Sequence, residues 1–246
     1  MDWSQAYVAH NKSEKEITEM KLQKVFPVML ALVMVFTLVS VASGEDAAPL
    51  QIGILKWVTH GALDGSEQGF VDALADNGFV DGENITIDYQ NANDDFNIAA
   101  TIGDRFVNNK ADLILAIATP AVQSVQSKTT EIPILGTAVT DFVGAGLAAS
   151  NEAPGANISG SSDLPSIAEQ FDFMLKVLPD VKVVGIMYNS SEDNSRIQAE
   201  TAKEAADALG LSIVEKTFSA VVDIPQTVES LAKEVEALWL PSDNSI

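Results

Sequence analysis

The sequence predicts an α/β protein of two Rossmann-like lobes, each a parallel sheet flanked by helices, with the second lobe incomplete. Three observations predict it. From residue 51 onward, short apolar runs alternate with segments whose apolar residues recur every three or four positions. Strand-like runs such as 112–118 are almost continuously apolar, as strands buried on both faces require. The alternation pauses once, over 142–163, and then resumes. With 47% hydrophobic residues in 246, the chain can bury a sizeable core.

The elements follow in order. QIGILKW (51–57) reads as a buried strand. Asp64 and Glu67 have capping-box spacing at the start of a helix carrying Phe70, Ala73 and Leu74 on one face. That helix ends at Asn77-Gly78, where glycine suits a left-handed C′ position. NITIDYQ (84–90) alternates and predicts a second strand, and 96–109 a second helix beginning near Asp94-Asp95. DLILAIA (112–118) predicts a strand, 120–128 a helix and IPILG (132–136) another strand. These make a first lobe over 50–141. Residues 142–163, rich in Gly, Ala, Ser and Asn, read as an inter-lobe crossing. The second lobe, 164–246, begins with a helix whose apolar positions run from Leu164 to Leu178, with Asp163 as N-cap and Pro179 as stop. Strands at 181–188, 211–217 and 236–240 alternate with helices at 195–209 and 225–235.

Composition narrows function. Lys+Arg total 14 against 35 Asp+Glu, a formal charge of -21, which repels phosphate and disfavours nucleic acid and anionic membranes as partners. The absence of cysteine excludes disulfides, thiolate metal sites and cysteine nucleophiles. Histidine is limited to His10 and His60, too few for a His-based zinc site or a serine triad. No lysine is marked out as a Schiff-base residue, and no cofactor or metal is expected.

The N-terminus reads as an address. Val25–Ala42 has no charge, Lys21 and Lys24 precede it, and Ser40, Ala42, Ser43 and Gly44 supply a small-residue cleavage zone. Residues 20–44 thus predict a signal peptide starting at Met20, with 1–19 an upstream mis-start and a periplasmic, non-embedded mature protein. An uncleaved signal would instead be a membrane anchor.

In open α/β sheets, ligands bind beyond the C-terminal strand ends, where helix N-termini present free N–H groups. Those ends carry Val58-Thr59-His60, Thr119-Pro120-Ala121, Thr137 to Asp141, Asn189-Ser190-Ser191-Glu192 and Pro241-Ser242-Asp243-Asn244. Hydroxyls and free amides suit a carboxylate, and a lone Asp suits an ammonium. Each such residue also makes an ordinary cap or turn; their recurrence at every strand end favours a cleft for a small zwitterion. Trp57, closing the first strand, is either a core aromatic or a stacking platform for a flat ligand. Gly144-Ala-Gly146-Leu-Ala-Ala149 has dinucleotide-fingerprint spacing, but neither follows a long strand nor opens a helix.

IATPAVQ (117–123), TAVTD (137–141), NISGSSD (157–163), YNSSEDNS (188–195) and LPSDNS (240–245), in this order, resemble the extracytoplasmic substrate-binding proteins of ABC transporters, and within them the tryptophan/aromatic amino-acid branch. The resemblance runs from about residue 50 to the last residue. It implies the type I periplasmic binding fold, an amino-acid ligand, no catalysis, and delivery to an ABC permease and its ATPase. It also implies that Thr119, Thr140, Asp141, Ser190, Ser191 and Asp243 lie near the cleft, beside the Trp57 and Pro120 of the strand-end reading. Two departures stand out. Phe142 occupies a position where the family usually has proline, and the family continues further, so the chain is expected to be C-terminally truncated. The alternative is an enzyme acting on a small amino acid or carboxylate with the same architecture.

Overall fold

The computed structural model describes residues 48–246, so the signal peptide and mis-start readings lie outside the described residues. Eight strands and six α-helices follow one another: β1 (Leu50–Lys56), α1 (Gly61–Asp76), β2 (Ile85–Asn91), α2 (Phe96–Asn108), β3 (Leu113–Ile117), α3 (Thr119–Gln126), β4 (Ile134–Val139), β5 (Ile158–Ser162), α4 (Ile167–Val177), β6 (Val183–Asn189), α5 (Asp193–Ala208), β7 (Ser212–Phe218), α6 (Ile224–Leu231) and β8 (Ala237–Trp239). They build two parallel sheets, in the orders β2-β1-β3-β4-β5 and β7-β6-β8. Residues 49–246 pack as one unit. Among the described residues, no helix is long and apolar enough to cross a membrane.

The apolar runs of β1 and β3 are buried because helices cover both faces of the first sheet. Ile54, Leu55, Ile114 and Ile117 are almost fully buried in its core. Gly53 in β1 is bare because the Phe106 ring of α2 lies where a Cβ would sit, 2.8 Å away. Gly185 in β6 plays the same part in the second sheet, admitting Leu238 and, from α6, Leu231. In the second lobe α4 buries Ile167 and Phe171, and the Phe171 ring meets that of Trp239 at 5.9 Å.

Three local expectations are corrected. Part of the stretch read as a crossing is a strand: Ile158–Ser162 pairs with β4 as the fifth strand of the first sheet. Only Ile158 of that strand is buried, which is why no apolar pattern announces it. Asp64 and Glu67 do not form a capping box. His60 is the N-cap of α1, and both carboxylates bind Lys56 of β1, at 2.6 and 3.0 Å. Asp163 does not cap α4, which starts at Ile167. The Asp163 amide instead donates to the Val139 carbonyl and prolongs the β4–β5 pairing.

Candidate functional site

The predicted residues fall on the C-terminal rims of the two sheets. On the first, Thr119 and Pro120 open α3 directly after β3, with proline in the first turn, where its missing N–H loses no helix bond. Ala118 makes the corner at φ 86°, ψ 152°, a conformation that L-residues rarely adopt. Thr119 is 1% exposed, and its Oγ1 is buried without a hydrogen-bond partner. On the adjacent strand, the β4 register shifts between Gly136 and Val139, and Ala138 has φ 52°. Thr140 is buried, and its carbonyl accepts from Ser162 Oγ at 2.6 Å. Asp141 Oδ1 accepts from the Val143 and Gly144 amides, both at 3.0 Å, holding the next turn.

Trp57 is fully buried. Its ring packs against Phe96 at 4.7 Å, and its Nε1–H donates to Asp94 Oδ1 at 2.8 Å. In this conformation it is a core aromatic that orients Asp94 rather than an open stacking surface. Asp95 caps α2, accepting from the Asn97 and Ile98 amides, which leaves Asp94 free to face the rim. Burial raises the Asp94 carboxyl above its ordinary range, with Asp243 and Asp95 adding to the rise.

The second rim is a hydrogen-bonded network. Asp243 Oδ2 accepts from the Asn189 amide at 2.8 Å and Ser195 Oγ at 2.7 Å; Oδ1 accepts from the Ser245 amide at 2.9 Å. Ser191 donates its amide to Asn189 Oδ1 at 3.0 Å. Ser190 is tied to the Phe218 carbonyl through both its amide and its hydroxyl. It lines an open depression of about 550 Å³ beside β7 and α6, together with Lys216, Thr227 and Ser230.

Glu192, which the sequence offers only as the last residue of a strand-end run, is 1% exposed. Its Oε2 accepts from Asn194 Nδ2 and from the Asn244 amide and side chain, and its Oε1 from Ser245 Oγ. Burial, then the nearby Asp243 charge, raises its pKa to about 7. Only one sequence signal could have found it: an acidic residue next to a strand end rich in Ser and Asn.

The two rims touch. Ser245 Oγ reaches Asp94 Oδ2 at 3.3 Å, and Gln123 Nε2 on α3 donates to Asp193 Oδ2 at the start of α5, at 2.9 Å. Thr119 and Asp141 therefore belong to one rim, and Ser190, Ser191 and Asp243 to the other. Among the described residues, no group of three or more His, Cys, Asp or Glu side chains could hold a metal ion.

The family model for ABC transporter substrate binding protein matches residues 51–246. The "Tyrosine-binding protein" of Clostridioides difficile (strain R20291) is 43% identical over 195 residues, covering 79% of this chain and 56% of that protein. The chain thus spans little more than half the length of this curated relative. Among solved structures, an ABC domain from Streptococcus pneumonia in complex with L-Trp is 36% identical, with a TM-score of 0.77 over 81% of this chain and 67% of that one. The ligand-free, open structure of a Clostridium difficile substrate-binding protein with adhesive properties is 44% identical, with a TM-score of 0.58 over 80% and 66%.

Proposed function

The chain belongs to the ABC transporter substrate-binding proteins, and we propose that it captures an amino acid with a flat, aromatic side chain between the rims of its two sheets. Its parallel-sheet lobes have the type I periplasmic binding fold. The protein acts as the extracytoplasmic receptor of an importer, handing its ligand unchanged to a permease driven by an ATPase.

One observation carries the reading: the Thr119 hydroxyl is buried at a strand end with no partner. A buried polar group left unsatisfied costs about 1–3 kcal/mol, and a ligand acceptor would remove that cost. Thr119 and Gln123 are four residues apart on α3 and so share a face, and Gln123 already contacts the second lobe. The hydroxyl therefore lies on the inter-lobe side, in the first turn of α3, a suitable place to donate to a ligand carboxylate. Asp141 suits the ammonium better than Asp243. Among the described residues, both oxygens of Asp243 have donors, while Asp141 receives them on Oδ1. Tyrosine and tryptophan, named with the relatives, support the aromatic class.

Isothermal titration with L-tryptophan, L-tyrosine, L-phenylalanine and L-leucine tests the proposal, with mass spectrometry of the recovered ligand. Aromatic amino acids are expected to bind more tightly than leucine and to be recovered unaltered. A folded protein that binds none of them, or that converts one, overturns it.

A further inference from the structure

We infer that Gln123 is a closing latch: it holds the lobes together from outside the ligand site and thereby sets ligand affinity. The inference rests on the binding reading above. The side-chain amide has two hydrogens, and both are in use. One bonds the Ala145 carbonyl at 3.2 Å, within the first lobe, and the other bonds Asp193 Oδ2 at 2.9 Å, on the second. The first bond fixes the amide, so little side-chain freedom is lost when the second forms. The acceptor is also held in place. Arg196 donates to Asp193 Oδ1 at 3.1 Å, leaving Oδ2 turned to the other lobe. The Asp193 carboxyl lies below its ordinary range, with the Gln123 bond as the first cause, so the closed arrangement favours the charged acceptor.

The surface around this bond is shaped for contact. Gly144 sits in the turn that Asp141 holds, and Ile197 of α5 approaches it closely. A Cβ on Gly144 would lie 3.1 Å from Ile197 Cδ1 and 2.5 Å from Asp141 Oδ2. The glycine segment whose spacing imitates a dinucleotide fingerprint is thus a bare seat for a side chain of the opposite lobe. The chain also superposes better on the tryptophan-bound neighbour than on the ligand-free open one, although the open one is closer in sequence. Closing equilibria act directly on apparent affinity, because a binding-competent state that is less populated weakens binding in proportion.

The test uses three variants of the full chain: Gln123→Ala, Gln123→Glu, and Gln123→Glu combined with Asp193→Asn. Because the sequence has no cysteine, one label can be placed on each lobe, through Gln68→Cys and Glu204→Cys, and the spread between them read by pulsed electron resonance. L-Tryptophan and L-tyrosine are the probes for titration. Gln123→Ala is expected to weaken binding roughly three- to tenfold, mainly through faster release. Gln123→Glu sets two carboxylates against each other and is expected to shift the label distances to longer values. The double variant restores the inter-lobe bond with donor and acceptor exchanged, though not the Ala145 bond, and is expected to return the label distances towards the parent's and to recover part of the affinity lost in Gln123→Glu. An unchanged distance distribution in Gln123→Glu, with or without amino acid, overturns the latch. A distribution that widens in Gln123→Glu while the parent binds neither amino acid supports the latch and overturns the ligand assignment instead.

Discussion

At the rim of the first sheet Thr119 keeps a buried hydroxyl with no partner, whereas at the rim of the second each carboxylate oxygen of Asp243 and Glu192 has at least one donor. The backbone divides the same way. Among the described residues, the non-glycine positions with positive φ are Asn93, Asp94, Lys110, Ala118 and Ala138, all in the first lobe, and all but Lys110 lie at the C-terminal ends of β2, β3 and β4. Strain and unsatisfied polarity persist where something else compensates for them, commonly a ligand. The second rim also buries one unpartnered atom, Asn194 Oδ1, but its carboxylates are held from several sides, which fixes their geometry. On the proposed binding reading, the first rim is the responsive half of the site and the second rim the stiffer wall.

The largest expected effect comes from breaking the first sheet at its outer strand. A Cβ on Gly160 of β5 would lie 1.9 Å from the Gly136 carbonyl oxygen and 2.8 Å from the Phe142 ring. Backbone cannot yield as a flexible side chain can. Gly160→Ala is therefore expected to cost about 3 kcal/mol or more in urea unfolding. It should also release the Ser162 hydroxyl from the Thr140 carbonyl, so hydrogen exchange should rise along 134–162 and stay slow in β6. Equal acceleration in both lobes would show that the two rims are not separable units.

Next is the wall. Asp243→Ala removes the acceptor of the Asn189 amide, the Ser195 hydroxyl and the Ser245 amide together. Leaving three partly buried donors unmatched is expected to cost about 2–3 kcal/mol, reduced by relief of the repulsion on Glu192. A smaller loss on the urea melt, within about 0.5 kcal/mol of zero, would mean that the network does not stabilise the second lobe.

Glu192 gives that network a pH dependence. Its folded pKa of about 7 lies above the ordinary 4.5, so between those values the folded chain holds a proton that the unfolded chain has released. Stability from this group is therefore greatest at low pH, declines as pH rises through the window, and is fully reduced above pH 7. The displacement corresponds to about 3 kcal/mol. Glu192→Gln keeps an acceptor for Asn244 and, with the Ser245 hydroxyl proton turned to Asp94, gives Ser245 Oγ a donor, without titrating. It is expected to be more stable than the parent by about 2 kcal/mol at pH 8, and by much less at pH 5. A parent-minus-variant difference independent of pH would remove Glu192 as its source.

The sequence made the sheets more legible than the site. β1, β3 and β6 stand out because burial on both faces demands unbroken apolar runs. β5, with Ser159, Gly160, Ser161 and Ser162 exposed, is a strand only because β4 offers it an edge. Asp64 and Glu67 match a local capping pattern, but the Lys56 ammonium from a neighbouring strand wins both carboxylates. Thr119 is visible as a hydroxyl after a buried strand. Asp94 is not, because its role depends on Trp57 and on Ser245, 151 residues away in the chain. Glu192 is hidden for the same reason: adjacent residues suggest a cap, and only Asn244 and Ser245 reveal the network.

The smallest expected effect is the sharpest for the comparison, because stability and binding are expected to move in opposite directions. Thr119→Val exchanges a hydroxyl for a methyl of nearly the same shape. At a satisfied site that exchange destabilises, since a partner loses its bond. At Thr119 no partner exists, and the neighbouring Ala118, Ala121 and Val122 are apolar and buried. The variant is therefore expected to gain about 1 kcal/mol in urea unfolding without ligand. Binding should move the other way: if the hydroxyl donates to a ligand carboxylate, its loss removes a charge-assisted bond, and affinity for an aromatic amino acid should fall roughly tenfold or more. Thr119→Ser, which keeps the hydroxyl, should retain most of the binding. Thr119→Val that is both less stable and equally able to bind would mean that the hydroxyl has an internal role, and the contrast between an open first rim and a closed second one would fail at its central residue.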